Sequence, residues 1–421
     1  MTDPAPHTTT PPSRRPLYGL IGAYLVSGIG TAMSQLAIPW LVLIMTGSAA
    51  STGLVGFAQM TPYVLLQATA GPLVDRIGQR RAFLLGNSAA AVAVCAIPLI
   101  HQIGGLSVGA LAGLGAVAGA VRGVADCATA PLLPITAELG GVAYERAAGL
   151  FSSANRAAML AGMPLAGVLV AVIGAAQVVL IDGVSFALAV LILAAMLPAS
   201  VGRSNPSAGA MRLRQYLVEL AEGLRFLRGD RLLLGIVTMV AVTNLLDEAL
   251  TGVLLPVWAH DRAHHVAAIG LIGGSWGLGM LLGALGGAWL AARLPRWQTL
   301  AVGLLLSSSP PFFALAASTS LPLLLPLWLL CGVLGGVLNP ILGAVQFERV
   351  PARLQARVLG AIKASAWVGV PFGSLVGGAL AQGPGLTAAL LSCGSLMLLA
   401  TFAPLVFPAW RGLERREAAL V

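Results

Sequence analysis

The chain has 421 residues, 57% of them hydrophobic and only 9% charged, with a formal net charge of +9. Soluble domains carry about 25% charged residues, so this composition cannot clothe a water-facing surface and describes a polytopic membrane protein. The basic residues collect in breaks between apolar runs, which assigns them to topology and anionic lipid headgroups and excludes nucleic acid as a partner.

The opening stretch, 1–16, is rich in Pro and Thr and reads as a disordered cytoplasmic tail. A membrane-spanning helix needs about 20 apolar residues, and the chain offers twelve such runs. The first six are 17–45, 51–73, 82–101, 106–130, 147–171 and 176–197. The second six are 232–257, 267–291, 298–317, 321–345, 358–381 and 385–408. The first run is too long for a signal-peptide core and stays as a span. This predicts a six-helix bundle over 17–198, a linker over 199–231, a second bundle over 232–408 and a tail over 409–421. With both termini inside, Arg76, Arg80, Arg81, Arg146, Arg293, Arg296, Arg349, Arg353 and Arg415 face the cytoplasm, and Arg262 faces outward.

Between the second and third runs lies a short charged stretch, Gly71-Pro72-Leu73-Val74-Asp75-Arg76-Ile77-Gly78-Gln79-Arg80-Arg81. It reads as a tight reversing loop that places one carboxylate among three arginines, with glycines supplying the freedom to turn. The linker begins with Ser, Pro and Gly over 202–209. It continues with Leu213, Tyr216, Leu217, Leu220, Leu224 and Leu227 at helical spacing, an amphipathic helix expected on the inner leaflet.

The two halves repeat. Pro39 is followed fourteen residues later by Gly53, and Pro256 by Gly270 at the same interval. Gly162-Met163-Pro164 in the fifth run has its counterpart in Gly369-Val370-Pro371 of the eleventh. The charged stretch has a worn copy at 287–296, with Ala291 in place of the aspartate.

Charges inside a membrane cost about 2.5–3.5 kcal/mol on insertion scales, so they face a cavity or a partner. Arg122 and Asp126 are four apart on one helix face and can pair, with Arg156 a candidate third member; structural pairing and a gating or proton-relay role both remain open. Asp182 reads as either structural, in the outer headgroup zone, or functional. Asp247 and Glu248 form the only adjacent acidic pair deep in a run, on a helix whose Thr243, Asn244, Thr251 and Trp258 mark a polar arc centred nearer Asp247. Burial disfavours a lone charge, so such a carboxylate can take up and release a proton. Asp247 is the expected coupling group, with Glu248 and Asn244 beside it; a purely structural, hydrogen-bonded pair is the alternative. No metal site is expected. Cys95, Cys127, Cys331 and Cys393 lie in apolar runs at no ligand spacing, and His101, His260, His264 and His265 fall in outer loops. The absence of a P-loop, nucleophile elbow or HExxH pattern argues against nucleotide hydrolysis and against an enzyme, and no cofactor is expected.

The charged stretch resembles the G-x-L-x-D-R-x-G-x-R-R signature of the major facilitator superfamily, carried by Gly71, Asp75, Arg76, Gly78, Arg80 and Arg81. Gly162-Met163-Pro164 resembles the fifth-helix signature of drug–proton antiporters, with Met163 interposed. Ala37-Ile38-Pro39-Trp40, Thr46-Gly47-Ser48, Ile181-Asp182-Gly183-Val184-Ser185-Phe186 and 222–227 resemble the branch holding macrolide-efflux proteins and the enterobactin exporter. That resemblance implies an all-α fold of twelve transmembrane helices in two pseudo-symmetric six-helix bundles, with the substrate site between them. It also implies that Asp75 engages the start of the eleventh helix near 358–363. The function it implies is a secondary active transporter, a monomer in the bacterial inner membrane, exporting a hydrophobic or amphiphilic small molecule (a drug, antibiotic or siderophore-like compound) by proton antiport with alternating access. An importer or lipid-type flippase of the same fold, and a non-transporting sensor or scaffold, are the alternatives.

Overall fold

The computed structural model describes residues 13–202, 209–290, 295–351, 354–408 and 410. The terminal tails, the start of the linker, Ala291 of the worn copy, and Arg293, Arg353 and Arg415 lie outside the described residues. The described chain is helical throughout and contains no strand. Eleven helices among the described residues are long and apolar enough to cross a membrane. They are Arg15–Thr46, Gln79–Gln102, Val108–Leu139, Tyr144–Ile173, Ala175–Met196, Arg231–Ala263, Ala267–Gly287, Arg296–Ala317, Leu321–Gln346, Arg357–Gln382 and Leu386–Val406. The twelfth, second in chain order, is Ala49–Thr69. It has the length, but Gln59, Thr61, Tyr63 and Gln67 make it the least lipid-like of the set. The expected twelve-helix fold therefore holds.

Several boundaries differ from the sequence reading near prolines. The fourth helix runs to Leu139 with Pro131 and Pro134 inside it. In a membrane, neighbouring helices and local turns re-satisfy the carbonyls that proline frees. The seventh helix continues to Ala263 by widening into π turns at Leu250–Leu254 and Ala259–Ala263. Pro256 cannot bond the carbonyl of Gly252 and its ring crowds it, so the helix expands just before the proline. The eleventh helix divides at Val368 and Gly369, ahead of Pro371.

The charged stretch is not a loop. Gly71–Ile77 is a seven-residue helix, and the chain turns at Gly78, whose φ of 93° and ψ of 136° suit glycine. A side chain at Gly71 would meet nothing within 4 Å, so only the second glycine is required by the backbone. Arg80 closes this corner, its Nε donating to the carbonyl of Leu197 at 2.9 Å and its Nη2 to that of Ala194 at 3.2 Å. A cation on the last carbonyls of the sixth helix is favoured by their partial negative charge.

The linker forms a helix, Gly209–Gly229. Leu220, Leu224 and Leu227 pack against Leu233, Val237, Val358, Ala361 and Ile362 of the seventh and eleventh helices. Glu222 pairs with Arg357 at 2.6 Å, and Gly223 lets the backbones approach. The described apolar residues near the end of this helix thus pack on protein.

The core reports how the halves meet. One buried cluster joins them, running from Leu36, Leu41 and Val94 through Ala166 and Phe186 to Leu254, Trp258, Ile272 and Leu390. It occupies the end of the bundle remote from the charged stretch. At the charged end the clusters are separate. One holds Leu17, Val74, Phe83, Leu132 and Leu193 of the first half; two others belong to the second half.

Candidate functional site: charged clusters in the two halves

Glycine places the helices. On the fourth helix Gly115, Gly119 and Gly123 recur every fourth residue and lie against Gln59, Tyr63 and Gln67 of the second. A Cβ at Gly123 would stand 2.6 Å from the Tyr63 carbonyl, so the two backbones are in contact. This close approach carries polar side chains of the second helix to the charged residues of the fourth.

There Arg122 and Asp126 lie 3.7 Å apart, Nε to Oδ2. The Tyr63 hydroxyl donates to Asp126 Oδ2 at 3.0 Å and accepts from Gln67 Nε2 at 3.1 Å. Arg122 also donates to the Thr31 hydroxyl and sits 5.0 Å above the Phe186 ring, a cation–π position. Helices one, two, four and six therefore converge on the Arg122–Asp126 pair. Nearby, Tyr24 stacks on Phe151 at 4.3 Å and its hydroxyl reaches Asn155 at 3.4 Å. Arg156 does not join the pair. It is exposed on the fifth helix, and among the described residues no ion pair includes it; the adjacent Asn155 is the residue that meets Tyr24.

The second half contributes an acidic face. Asp247 and Glu248 end the α-helical part of the seventh helix, immediately before its first π turn. Glu248 Oε1 accepts from Ser374 Oγ of the eleventh helix at 2.9 Å. Asn244 does not bond the acidic pair. Its Nδ2 donates to the carbonyl of Ala366 at 2.9 Å, satisfying backbone where the eleventh helix breaks. Asp247 is exposed, whereas Glu248 is half-buried. Thr251, one turn on, donates to the Asp247 carbonyl at 2.8 Å and is exposed with it. Thr243 and Trp258 of the supposed polar arc are buried instead.

Gly162 packs against Ile29 and Ala32 of the first helix, and Gly369 against Ala241 and Leu245 of the seventh. Each Gly-x-Pro motif thus serves the same joint in its own half. Pro164 rests on Gly274 of the eighth helix, while the fifth helix stays unbroken. Asp75 accepts from Gln79 Nε2 at 3.3 Å, and both Asp75 and Lys363 lie within electrostatic reach of Cys127. Asp182 is 2% exposed, buried within the first half.

The sequence reading did not single out Tyr24, Thr31, Tyr63, Gln67, Asn155 or Ser374. One signal was available. Gln59, Tyr63 and Gln67 repeat every fourth residue, a polar stripe on an otherwise apolar helix.

Comparison with known proteins agrees with this architecture. The profile described as Major Facilitator Superfamily matches residues 20–246 and again 237–420. The chain is 29% identical over 411 residues to the multidrug efflux pump Tap of Mycobacterium tuberculosis, covering 96% of each chain. It is 27% identical over 407 residues to the pump of the same name from Mycolicibacterium fortuitum, covering 95% of this chain and 98% of that one. Among solved structures, the nucleoside transporter NupG superposes with a TM-score of 0.72 at 12% identity, covering 93% of this chain and 99% of that one. A bacterial homologue of the lysosomal transporter Spinster, in an inward-facing and unoccupied conformation, gives 0.68 at 16% identity, covering 97% and 100%.

Proposed function

Because this chain belongs to the Major Facilitator Superfamily, and is accordingly a multi-pass membrane transporter and not an enzyme, we propose that it exports hydrophobic or amphiphilic drugs from the bacterial cytoplasm by proton antiport. The observation that carries this reading is the unequal chemistry of the two halves. The first half offers aromatic rings around a paired guanidinium, at Tyr24, Phe151, Tyr63, Arg122 and Phe186. The second offers Asp247, exposed, with no cation bonded to it among the described residues. Aromatic and apolar walls with few polar groups suit an amphiphilic ligand, and an exposed carboxylate in a low-dielectric cavity is suited to exchange a proton. The similarity to pumps named for multidrug efflux supports the substrate class and the direction.

Alternating access fits the packing. The halves join at the end remote from the charged stretch and have separate cores at the other. With the arginine-rich end in the cytoplasm, this conformation opens inward, as a structural relative does. Gly71, Asp75, Arg76, Gly78, Arg80 and Arg81 then form the corner that closes against the eleventh helix in the opposite state. The protein acts as a monomer with both termini inside.

The test is accumulation of candidate drugs in cells with and without the protein, with and without a proton ionophore. Lower accumulation that the ionophore abolishes supports coupled efflux. Equal accumulation across a broad panel of amphiphilic drugs, with the protein present in the membrane, would overturn it.

A further inference from the structure

A groove runs along the seventh helix where the linker helix and the eleventh helix lean on it. Its volume is about 390 Å³. Leu227 of the linker helix, Leu234, Val237, Ala241 and Leu245 of the seventh, and Gly369 of the eleventh line it, with hydroxyls only at Thr238 and Ser365. From Leu234 to Leu245 the helix axis advances about 16 Å. So small a volume, drawn out along that length, is a slot for one hydrocarbon chain.

Helix geometry says which way the groove faces. Leu245 and Asp247 are two positions apart, so they point about 200° from each other round the helix. The groove therefore lies on the side turned away from the exposed Asp247, which the proposed transport path uses, and toward the bilayer. Leu234, at the charged end of the groove, is 40% exposed.

That end also carries a cation. Arg228 lines the groove and is exposed, and among the described residues no carboxylate pairs with it. Asp230 is committed elsewhere: its Oδ1 accepts from the amides of Leu232 and Leu233, and its Oδ2 lies 3.1 Å from Arg349. Glu222 is held by Arg357 at 2.6 Å. A guanidinium at the end of an apolar slot complements an amphiphile with an anionic, phosphate-bearing head.

We propose that this groove binds one anionic phospholipid, with an acyl chain along the seventh helix and the phosphate on Arg228. The chain covers the break in the eleventh helix at Val368 and Gly369. It thereby gives the anionic lipid content of the membrane a hold on the helix whose Ser374 meets Glu248. The orientation proposed above makes the leaflet the inner one; binding itself depends neither on a drug nor on Asp247, so it stands or falls apart from the transport reading.

The full-length protein, delipidated in detergent, is titrated with phosphatidylglycerol or with phosphatidylcholine of the same acyl chains. Retained lipid is counted by native mass spectrometry, and thermal unfolding is followed on the same samples. Phosphatidylglycerol should fill one tight site per chain and raise Tm saturably, since a ligand of the native state stabilises it. Phosphatidylcholine should do neither. Arg228→Gln should weaken phosphatidylglycerol binding about tenfold. Thr238→Trp, which fills the slot from an exposed position, should remove it. Arg146→Gln, the same charge change at an exposed residue of the first half, should retain it. Should Thr238→Trp fail to fold, the comparison of Arg228→Gln with Arg146→Gln decides. Equal binding of the two lipids would overturn the proposal, as would an Arg228→Gln titration no weaker than that of Arg146→Gln. So would an equal rise in Tm from glycerol 3-phosphate, which has the charged head without the chain.

Discussion

A Cβ on Gly270 would stand 2.8 Å from the Cα of Gly167, so the eighth and fifth helices touch backbone to backbone across the boundary between the halves. The repeat makes a second such contact: Gly53 of the second helix lies against Ser374 and Gly378 of the eleventh, with 3.1 Å from its built Cβ to the Gly378 Cα. Gly53 and Gly270 occupy equivalent positions in the two halves, so one pseudo-symmetric pair of joints closes the far end of the molecule.

Gly270→Leu should hold that end apart. Overpacking costs about 1–3 kcal/mol, which shifts the balance of closed to open states about 5- to 150-fold. The expected result is normal membrane insertion with efflux reduced by at least about tenfold. Labelling of single cysteines near Ser48 by a membrane-impermeant reagent should rise; unchanged labelling and transport would show the contact is dispensable.

The two acidic residues should separate by role. Asp247→Asn is expected to abolish gradient-driven efflux while leaving drug binding, because the exposed carboxylate is the one free to exchange a proton. Glu248→Gln should be milder, since an amide can still accept from Ser374. Efflux in inverted vesicles and equilibrium drug binding check both. Wild-type pumping by Asp247→Asn, with normal pH dependence, would remove that residue from coupling.

Arg122→Lys retains the charge but not the planar group that meets Asp126, Thr31 and Phe186 together. Drug affinity should fall about tenfold, or about 1.4 kcal/mol. Tyr63→Phe deletes one hydrogen bond to a carboxylate, which is worth about 1.5–3 kcal/mol, and should lower Tm without changing insertion. An unaltered affinity in Arg122→Lys would place the ligand elsewhere in the cavity.

Asp75→Asn should cut transport with the protein still inserted, by weakening the state in which the charged end closes. Cysteines replacing Asp75 and Gly360 should cross-link in the presence of a ligand that favours that state. No cross-link in any state would refute the contact.

Topology is tested by reporters. A periplasm-active enzyme fused after Val421 should stay silent, and one inserted at His264 should be active. Activity at Val421 would mean an odd number of spans.

Much of the fold was legible because membrane insertion imposes a simple pattern. Long apolar runs, arginine-rich breaks and the repeated Pro39/Gly53 and Pro256/Gly270 spacing were enough for twelve helices in two related halves. The charged stretch was misread in detail. Glycine and proline suggested a loop, whereas Gly71–Ile77 is helical and only Gly78 turns. Proline is a weak stop signal inside a bundle, and the fourth helix passes through two of them.

The site was only partly legible. Arg122 with Asp126, and the Asp247–Glu248 pair, stand out in sequence because a charge in an apolar run is costly and therefore rare. By itself, then, the sequence determined the class, the number of helices and which charges needed explaining, since these follow from local hydropathy and spacing. Only the tertiary structure decided where those charges go: that Glu248 bonds Ser374, that Asn244 serves the backbone at Ala366, that Asp182 is buried against Gly30. Each of those partners lies more than a hundred residues away in the chain, and helix packing through glycine is what brings them within reach.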